Sequence, residues 1–121
     1  MGLVPEDRVR QGLIPIASVA ANVTVASPAA TTRRGIFSSG RERSVARKVV
    51  QDVGIKVPSV DAPITALSGG NQQKVVIGRW LLRRTRVLLL DDPTVGVDVA
   101  AREEIYRLVL RLADQGSGVI V

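Results

Sequence analysis

The sequence predicts an α/β fold in which short buried strands alternate with amphipathic helices. Residues 87–90 are a continuous apolar run, which is typical of a parallel strand covered on both faces. Residues 100–115 repeat apolar side chains at helical spacing, and residues 118–121 begin another apolar strand. This order of strand, helix and strand is a βαβ unit, which is right-handed by default.

Composition limits the chemistry that the chain can perform. The 121 residues are 45% hydrophobic, which suffices for one domain or a part of one. The absence of Cys and His excludes disulfides, thiolate metal sites, cysteine nucleophiles and a histidine base. The net charge of +6 comes from scattered basic residues without aromatic stacking platforms, so solvated helix faces are favoured over a nucleic-acid interface. An acidic partner protein and lipid headgroups are alternative binding partners for these basic residues.

The N-terminal third alternates between apolar segments and turns. Residues 2–5 end a strand at a proline, and residues 6–11 are predicted as a charged loop. The uncharged residues 11–32 are long enough to span a bilayer, but their prolines and small side chains favour a short buried helix capped by Ser18. Residues 27–40 are rich in turn formers and are predicted as a mobile connection.

The middle of the chain contains two further helices. Residues 41–53 place valines on one face and precede Gly54, which is typical of a helix and its C-terminal cap. Residues 57–64 contain two prolines and are predicted as an extended loop. A helix over residues 71–84 follows a pair of glycines, and its end is basic, which suits the helix dipole.

The glycine pair is a candidate anion site. Ser68, Gly69 and Gly70 stand at a helix N-terminus, where free amides and the helix dipole favour negative charge. Glycines let a phosphate approach the backbone, and Ser68 adds a hydroxyl donor. On these three residues alone, a capped turn without a ligand is the favoured interpretation.

A second candidate site follows the strand at residues 87–90. Asp91 and Asp92 stand at its carboxyl end, where ligands bind in open α/β sheets. Carboxylates there suit Mg²⁺, so one can serve a metal while the other orients a water. Two exposed loop acids beside a turn are the alternative interpretation.

Together, the two stretches resemble a known family. The order L-S-G-G-N-Q-Q-K, V-L-L-L-D-D-P-T and G-V-D resembles the ATP-binding-cassette (ABC) ATPases, where these are the signature, Walker B strand and D-loop. N-Q-Q-K, P-T-x-G-V-D-V and the opening V-P-E-D-R resemble the C-terminal cassette of monosaccharide importer ATPases. The resemblance implies a partial P-loop NTPase-type cassette over residues 1–121. Its helical subdomain would cover about residues 13–64, and its motifs and βαβ portion residues 65–121.

The resemblance also implies which residues contact nucleotide. Ser68, Gly69 and Gly70 would contact the γ-phosphate of ATP that is held by the facing cassette. Gln72, within the signature, and Glu6 would be further nucleotide-binding residues. Glu6 stands near the position where other cassettes have a Gln that senses Mg²⁺ and the permease.

Three aspartates carry the hydrolytic roles that the resemblance implies. Asp91 would hold the water shell of Mg²⁺. Asp92 occupies the place of a catalytic Glu that polarises the attacking water, and Asp98 would communicate across the interface between cassettes. The implied partners are a second cassette, transmembrane permease subunits and, indirectly, a sugar-binding protein, with no nucleic acid. The implied location is peripheral, at the cytoplasmic face of the cell membrane.

The sequence also departs from the family pattern. Asp92 is one methylene shorter than Glu, and a misplacement of about an ångström can be costly in catalysis. Val95 replaces a residue that is often Arg, and no G-x-x-x-x-G-K-[ST] loop occurs in the sequence. We therefore expect a slice of a cassette that alone neither binds ATP tightly nor hydrolyses it, and that is marginally stable in isolation. The alternatives are a non-catalytic module that binds a permease or an intact cassette and, ranked below it, a basic nucleic-acid-binding domain.

Overall fold

The computed structural model describes residues 2–121, which form ten helices and strands with two short helical turns. The two turns are π-helical at Arg8–Gly12 and 3-10 at Ile64–Ala66. In chain order the regular elements are β1 (Gly2–Val4), α1 (Val19–Thr24), α2 (Pro28–Thr31), β2 (Thr32–Arg33), β3 (Ile36–Phe37), α3 (Ser39–Val53), α4 (Gly69–Leu82), β4 (Val87–Leu90), α5 (Val99–Asp114) and β5 (Gly118–Ile120).

A three-stranded parallel sheet in the order β1-β4-β5 organises the fold. Val4 lies opposite Leu90, and Leu88 lies opposite Val119. Because all three strands are parallel, their carboxyl ends meet at one edge, where ligands bind in such sheets. The predicted unit of strand, helix and parallel strand is therefore confirmed as β4-α5-β5.

Helix α4 is the central element of the structure. It contacts α1, α3, α5 and β1, and its residues from Gln73 to Arg79 are all buried. The indole nitrogen of Trp80 donates a 3.0 Å hydrogen bond to the carbonyl of Leu3, which fixes the helix against β1. The position of the signature loop at the start of α4 is thus set by packing along the whole helix.

An ion pair ties α4 to the helices on either side. The Lys74 side chain is only 5% exposed, and its ammonium contacts the Glu104 carboxylate of α5 and donates to the Gly54 carbonyl beyond α3. The hydrogen bond and charge of Lys74 lower the pKa of Glu104. A buried ammonium needs such partners, because an unpaired charge is expensive to desolvate.

The short helix α1 is fixed by its own polar groups. Ser18 caps it as predicted, accepting a hydrogen bond from the Ala21 amide. The buried Asn22 amide bonds both the N–H and the carbonyl of Ile14, which holds the preceding loop. Arg79 of α4 donates to the Asn22 carbonyl at 2.8 Å, and burial lowers the pKa of this arginine. The predicted short buried helix is therefore confirmed.

Several predicted boundaries and loops are corrected. Residues 6–11, predicted as a loop, enter the π-helical turn, which Asp7 caps through the Arg10 amide. Residues 27–40, predicted as a turn-rich, mobile connection, contain α2 and the β2–β3 hairpin. Helices α3 and α4 each begin two residues earlier than predicted, because the serines that cap them are Ser38 and Ser68.

Strand β4 is covered less evenly than its apolar sequence predicts. Leu88 and Leu90 are buried in the core with residues of α4 and α5, whereas Val87 is 36% exposed. Side chains alternate between the faces of a strand, so the two faces differ in burial. Among residues 2–121, no helix is both long enough and apolar enough to cross a bilayer.

Candidate functional site

The signature loop forms the N-terminus of α4, where Ser68 is exposed, Gly69 is half-buried and Gly70 is buried. Ser68 caps this helix, and its hydroxyl oxygen accepts hydrogen bonds from the backbone amide and side-chain amide of Asn71 at 3.4 and 3.0 Å. The amides of Gly69 and Gly70 belong to the first turn, where a helix has no internal acceptor for its N–H groups. The loop therefore offers an anion the backbone donors and the positive end of the helix dipole.

Both glycines are required by packing within the chain itself. A Cβ on Gly69 would lie 2.5 Å from the Arg8 guanidinium and 2.7 Å from the Gly96 carbonyl oxygen. A Cβ on Gly70 would lie 2.5 Å from the Ala101 Cβ of α5. The pair thus has a structural reason independent of any phosphate, which the sequence interpretation did not contain.

Arg8 is the residue of this site that the sequence analysis missed. Its guanidinium donates to the carbonyls of Val95 at 2.8 Å and Gly96 at 3.4 Å, and to Gln72 Oε1 at 3.4 Å. Desolvation lowers the pKa of Arg8, and the nearby Asp7 opposes this effect. The V-P-E-D-R segment resembles the family pattern, but this resemblance gives no role to its arginine. The partners of Arg8 are 64 to 88 residues away in sequence, so no local pattern marks them.

Gln72 holds the signature loop through two side-chain hydrogen bonds. Its amide nitrogen donates to the Ile64 carbonyl at 3.2 Å, while its oxygen accepts from Arg8. Both ends of this amide are thus used within the chain. Among the candidate nucleotide-binding residues, Gln72 holds the signature loop in place, whereas Ser68 is exposed to solvent.

The carboxyl edge of the sheet brings Glu6 and the aspartate pair to neighbouring strand ends. The Asp91 amide donates to the Val4 carbonyl at 2.9 Å, so the register of β1 and β4 continues to this position. Asp91, Asp92 and Glu6 are all exposed. Asp92 adopts a left-handed conformation with φ of 46°, which turns the chain sharply out of the strand.

Asp98 connects the turn after β4 to helix α5. Its carboxylate accepts a 2.8 Å hydrogen bond from the Ala101 amide and caps α5. Gly96 in the same turn has φ of +69°, which favours glycine. The structure therefore gives Asp98 a capping role, and its side chain is otherwise exposed.

The oxygen and amide groups of the two candidate sites meet part of what Mg²⁺ and a nucleotide require. Among residues 2–121, no group of three acidic side chains is placed to hold a metal alone. Mg²⁺ commonly uses one or two carboxylates with water and substrate phosphates, and Asp91 with Asp92 at a strand end fit that requirement. The signature loop fits a terminal phosphate through its free amides. These groups fit part of a nucleotide site, since no G-x-x-x-x-G-K-[ST] loop is present in the sequence.

Sequence comparisons agree with this arrangement of motifs. A family profile described as "ABC transporter" matches residues 1–95. The chain is 48% identical over its whole length to "Ribose import ATP-binding protein RbsA 1" of Rubrobacter xylanophilus. It is 46% identical, again over its whole length, to "Xylose import ATP-binding protein XylG" of Photobacterium profundum. In both cases the chain spans 24% of the relative's length.

Comparison with solved structures gives the same fold and family. The dimeric bacterial ABC transporter cassette MJ0796 is 29% identical, with a TM-score of 0.75 over 100% of this chain and 50% of that one. The protein cbiO1 from Clostridium perfringens, described as part of the ABC transporter complex cbiONQ, is 28% identical, with a TM-score of 0.74 over 98% of this chain and 45% of that one. Family profile, relatives, structural neighbours and ordered motifs agree, and the chain belongs to the ABC transporter ATPase family.

Proposed function

We propose that this chain supplies the signature, Walker B and D-loop portion of an ATP-hydrolysing cassette in a monosaccharide importer. The observation that supports this most directly is the placement of the exposed Ser68 and the half-buried Gly69 at the N-terminus of α4, beside the turn that leads to Asp98. Because Ser68 is exposed, it suits contact with a nucleotide that a facing cassette presents, rather than one that this chain holds. The sugar-import relatives support the substrate class.

In this proposal the two candidate sites act on different nucleotides. Ser68 and the first amides of α4 bind the terminal phosphate of ATP that a facing cassette presents. Asp91 holds the water shell of Mg²⁺ at its own sheet edge, and Asp92 orients the water. Mg²⁺ supplies charge neutralisation on the phosphates when it is bound.

The remaining polar residues have supporting roles. Asp98 holds the start of α5 by capping and presents its exposed side to the facing cassette. Glu6 lies at the neighbouring strand end, where it can report the state of the metal site to the permease. The proposed setting is peripheral, at the cytoplasmic face of the membrane, with permease subunits and, indirectly, a sugar-binding protein.

The test compares ATP hydrolysis by the assembled importer when this cassette carries Asp91→Asn or Ser68→Arg. We expect Asp91→Asn to reduce Mg²⁺-dependent turnover about 100-fold, because the metal loses its anionic anchor. Ser68→Arg blocks the phosphate position and should reduce turnover by a similar factor. Lys48→Ala, on the exposed face of α3, is the matched control and should retain wild-type turnover.

Wild-type turnover in both site variants would contradict the proposal. The 121-residue chain alone, supplied with ATP and Mg²⁺, is expected to show no hydrolysis above background. Metal-dependent hydrolysis by that isolated chain would show that it holds a complete site and would overturn the shared-site arrangement. Hydrolysis confined to the chain mixed with an intact cassette would support it.

A further inference from the structure

Arg8 joins three segments that are distant in sequence. It follows Glu6 by two residues, donates to Gln72 on α4, and donates to the carbonyls of Val95 and Gly96 in the turn after β4. The two carbonyls and the Gln72 amide oxygen are neutral acceptors, and Asp7 is the acidic group that acts on the Arg8 charge. The guanidinium thus fills the space between the signature loop and the D-loop turn.

We propose that Arg8 is a positioning residue that fixes the signature loop and the D-loop as one unit. This inference rests on the proposed function, in which both segments act on the facing cassette. In this proposal Arg8 does not touch the nucleotide. Its hydrogen bonds to the Val95 and Gly96 carbonyls fix the position of the turn after β4 relative to the first turn of α4.

The geometry explains why arginine is required. A guanidinium presents five N–H groups in a rigid fork, and here Nε, Nη1 and Nη2 each address a different acceptor. A lysine keeps the positive charge but has a single nitrogen on a flexible stem. It cannot bridge α4 and the turn in the same way.

The glycines beside Arg8 support the same interpretation. Gly69 has no room for a side chain because Arg8 and the Gly96 carbonyl occupy that space. Gly96 itself is left-handed, and its backbone carbonyl lies toward both Arg8 and Gly69. The three residues form one packed contact, which we call the Arg8 contact, and a displacement of the turn is transmitted directly to the signature loop.

The test uses the assembled importer with Arg8→Lys in this cassette. Turnover is measured per cassette able to bind an ATP analogue, so that misfolded protein does not count. We expect a loss of about 10-fold for Arg8→Lys and about 100-fold for Arg8→Met, because small misplacements are costly in catalysis. The matched control is Arg10→Ala, since Arg10 is exposed and its guanidinium pairs with Asp7.

Hydrogen exchange on the same complex separates positioning from general stability. In Arg8→Lys, amides of residues 69–72 and 94–97 should exchange faster together, while residues 75–79 in the middle of α4 keep wild-type protection. Loosening of only one segment, loosening of the whole core, or turnover within twofold of wild type would each overturn the inference.

Running Asp91→Asn in the same assay separates the two proposals. If Asp91→Asn loses turnover and Arg8→Lys does not, the role of Arg8 is wrong and the proposed function stands. If Asp91→Asn and Ser68→Arg both keep wild-type turnover, the proposed function itself fails.

Discussion

The two candidate sites are built in opposite ways. At the signature loop, side chains crowd the backbone so closely that neither Gly69 nor Gly70 has room for a Cβ. At the strand end, Asp91 and Asp92 are exposed and project from a turn. The comparison shows that one site is fixed by internal packing before any ligand arrives, while the other is left open to solvent and ligand. Substitutions should therefore have opposite effects on stability in the two places.

The largest expected effect is at the crowded site. Gly70→Ala places a Cβ against the Ala101 methyl, so α4 and α5 must separate, at a cost of about 2 kcal/mol in the free energy of unfolding. Urea denaturation followed by the fluorescence of Trp80, the only tryptophan in the sequence, measures this directly. If Gly70→Ala and wild type have equal free energies of unfolding, α4 and α5 accommodate the added methyl group without cost, which contradicts the prediction.

Two further variants sharpen the measurement. Ala101→Gly should relieve Gly70→Ala, so the double variant should be more stable than the sum of the single effects predicts. Gly40→Ala in α3 is the matched control, because its added Cβ would meet only the Ser38 hydroxyl, at 4.0 Å, among the described residues outside its chain neighbours and the helix backbone. That change should stabilise the chain by about 0.5 kcal/mol through helix propensity.

The strand-end site should tolerate a substitution in the opposite direction, from a larger residue to glycine. Asp92 has φ of 46°, so Asp92→Gly removes backbone strain while it adds chain entropy to the unfolded state. We expect the free energy of unfolding to be unchanged or raised by up to about 1 kcal/mol, while turnover of the assembled importer falls. Destabilisation by more than about 1 kcal/mol would show that the Asp92 side chain has a structural partner.

The smallest expected effect is on how stability depends on pH at acidic values. Because Lys74 lowers the pKa of Glu104 from 4.5, the ion pair stabilises the fold above that value. Its contribution is lost as the pH falls through the lowered pKa of the folded state. Glu104→Gln should therefore flatten the acid side of the pH–stability curve, measured by thermal melting between pH 3 and pH 6. Glu103→Gln, which removes the exposed pair with Arg107, is the control and should leave the curve unchanged.

Much of the fold could be predicted because its signals are local. The apolar run of β4, the periodicity of α5 and the serine before α1 each act over a few residues, and the structure confirms all three. The positions of both motifs at a helix start and a strand end were predictable for the same reason. Their assigned chemical roles rested on family resemblance and stay proposals.

The remaining features depend on contacts distant in sequence. The hydrogen bonds of Arg8 form only once the π-helical turn, α4 and the turn after β4 are assembled, and the crowding at Gly70 depends on where Ala101 of α5 lies. The uneven burial of β4 likewise depends on which elements cover the sheet. The sequence alone does not distinguish a glycine pair that makes room for a phosphate from one that makes room for a neighbouring side chain.

The Arg8 contact also restricts how the chain can change over evolutionary time. A side chain at position 69 requires the Arg8 guanidinium to move away and the carbonyl at position 96 to be displaced. Any one of these changes made first loses the hydrogen bonds or creates a collision, so single steps are disfavoured. In related chains, positions 8, 69 and 96 should therefore vary as a set, and a cassette that lacks the arginine is where a larger residue at position 69 is expected.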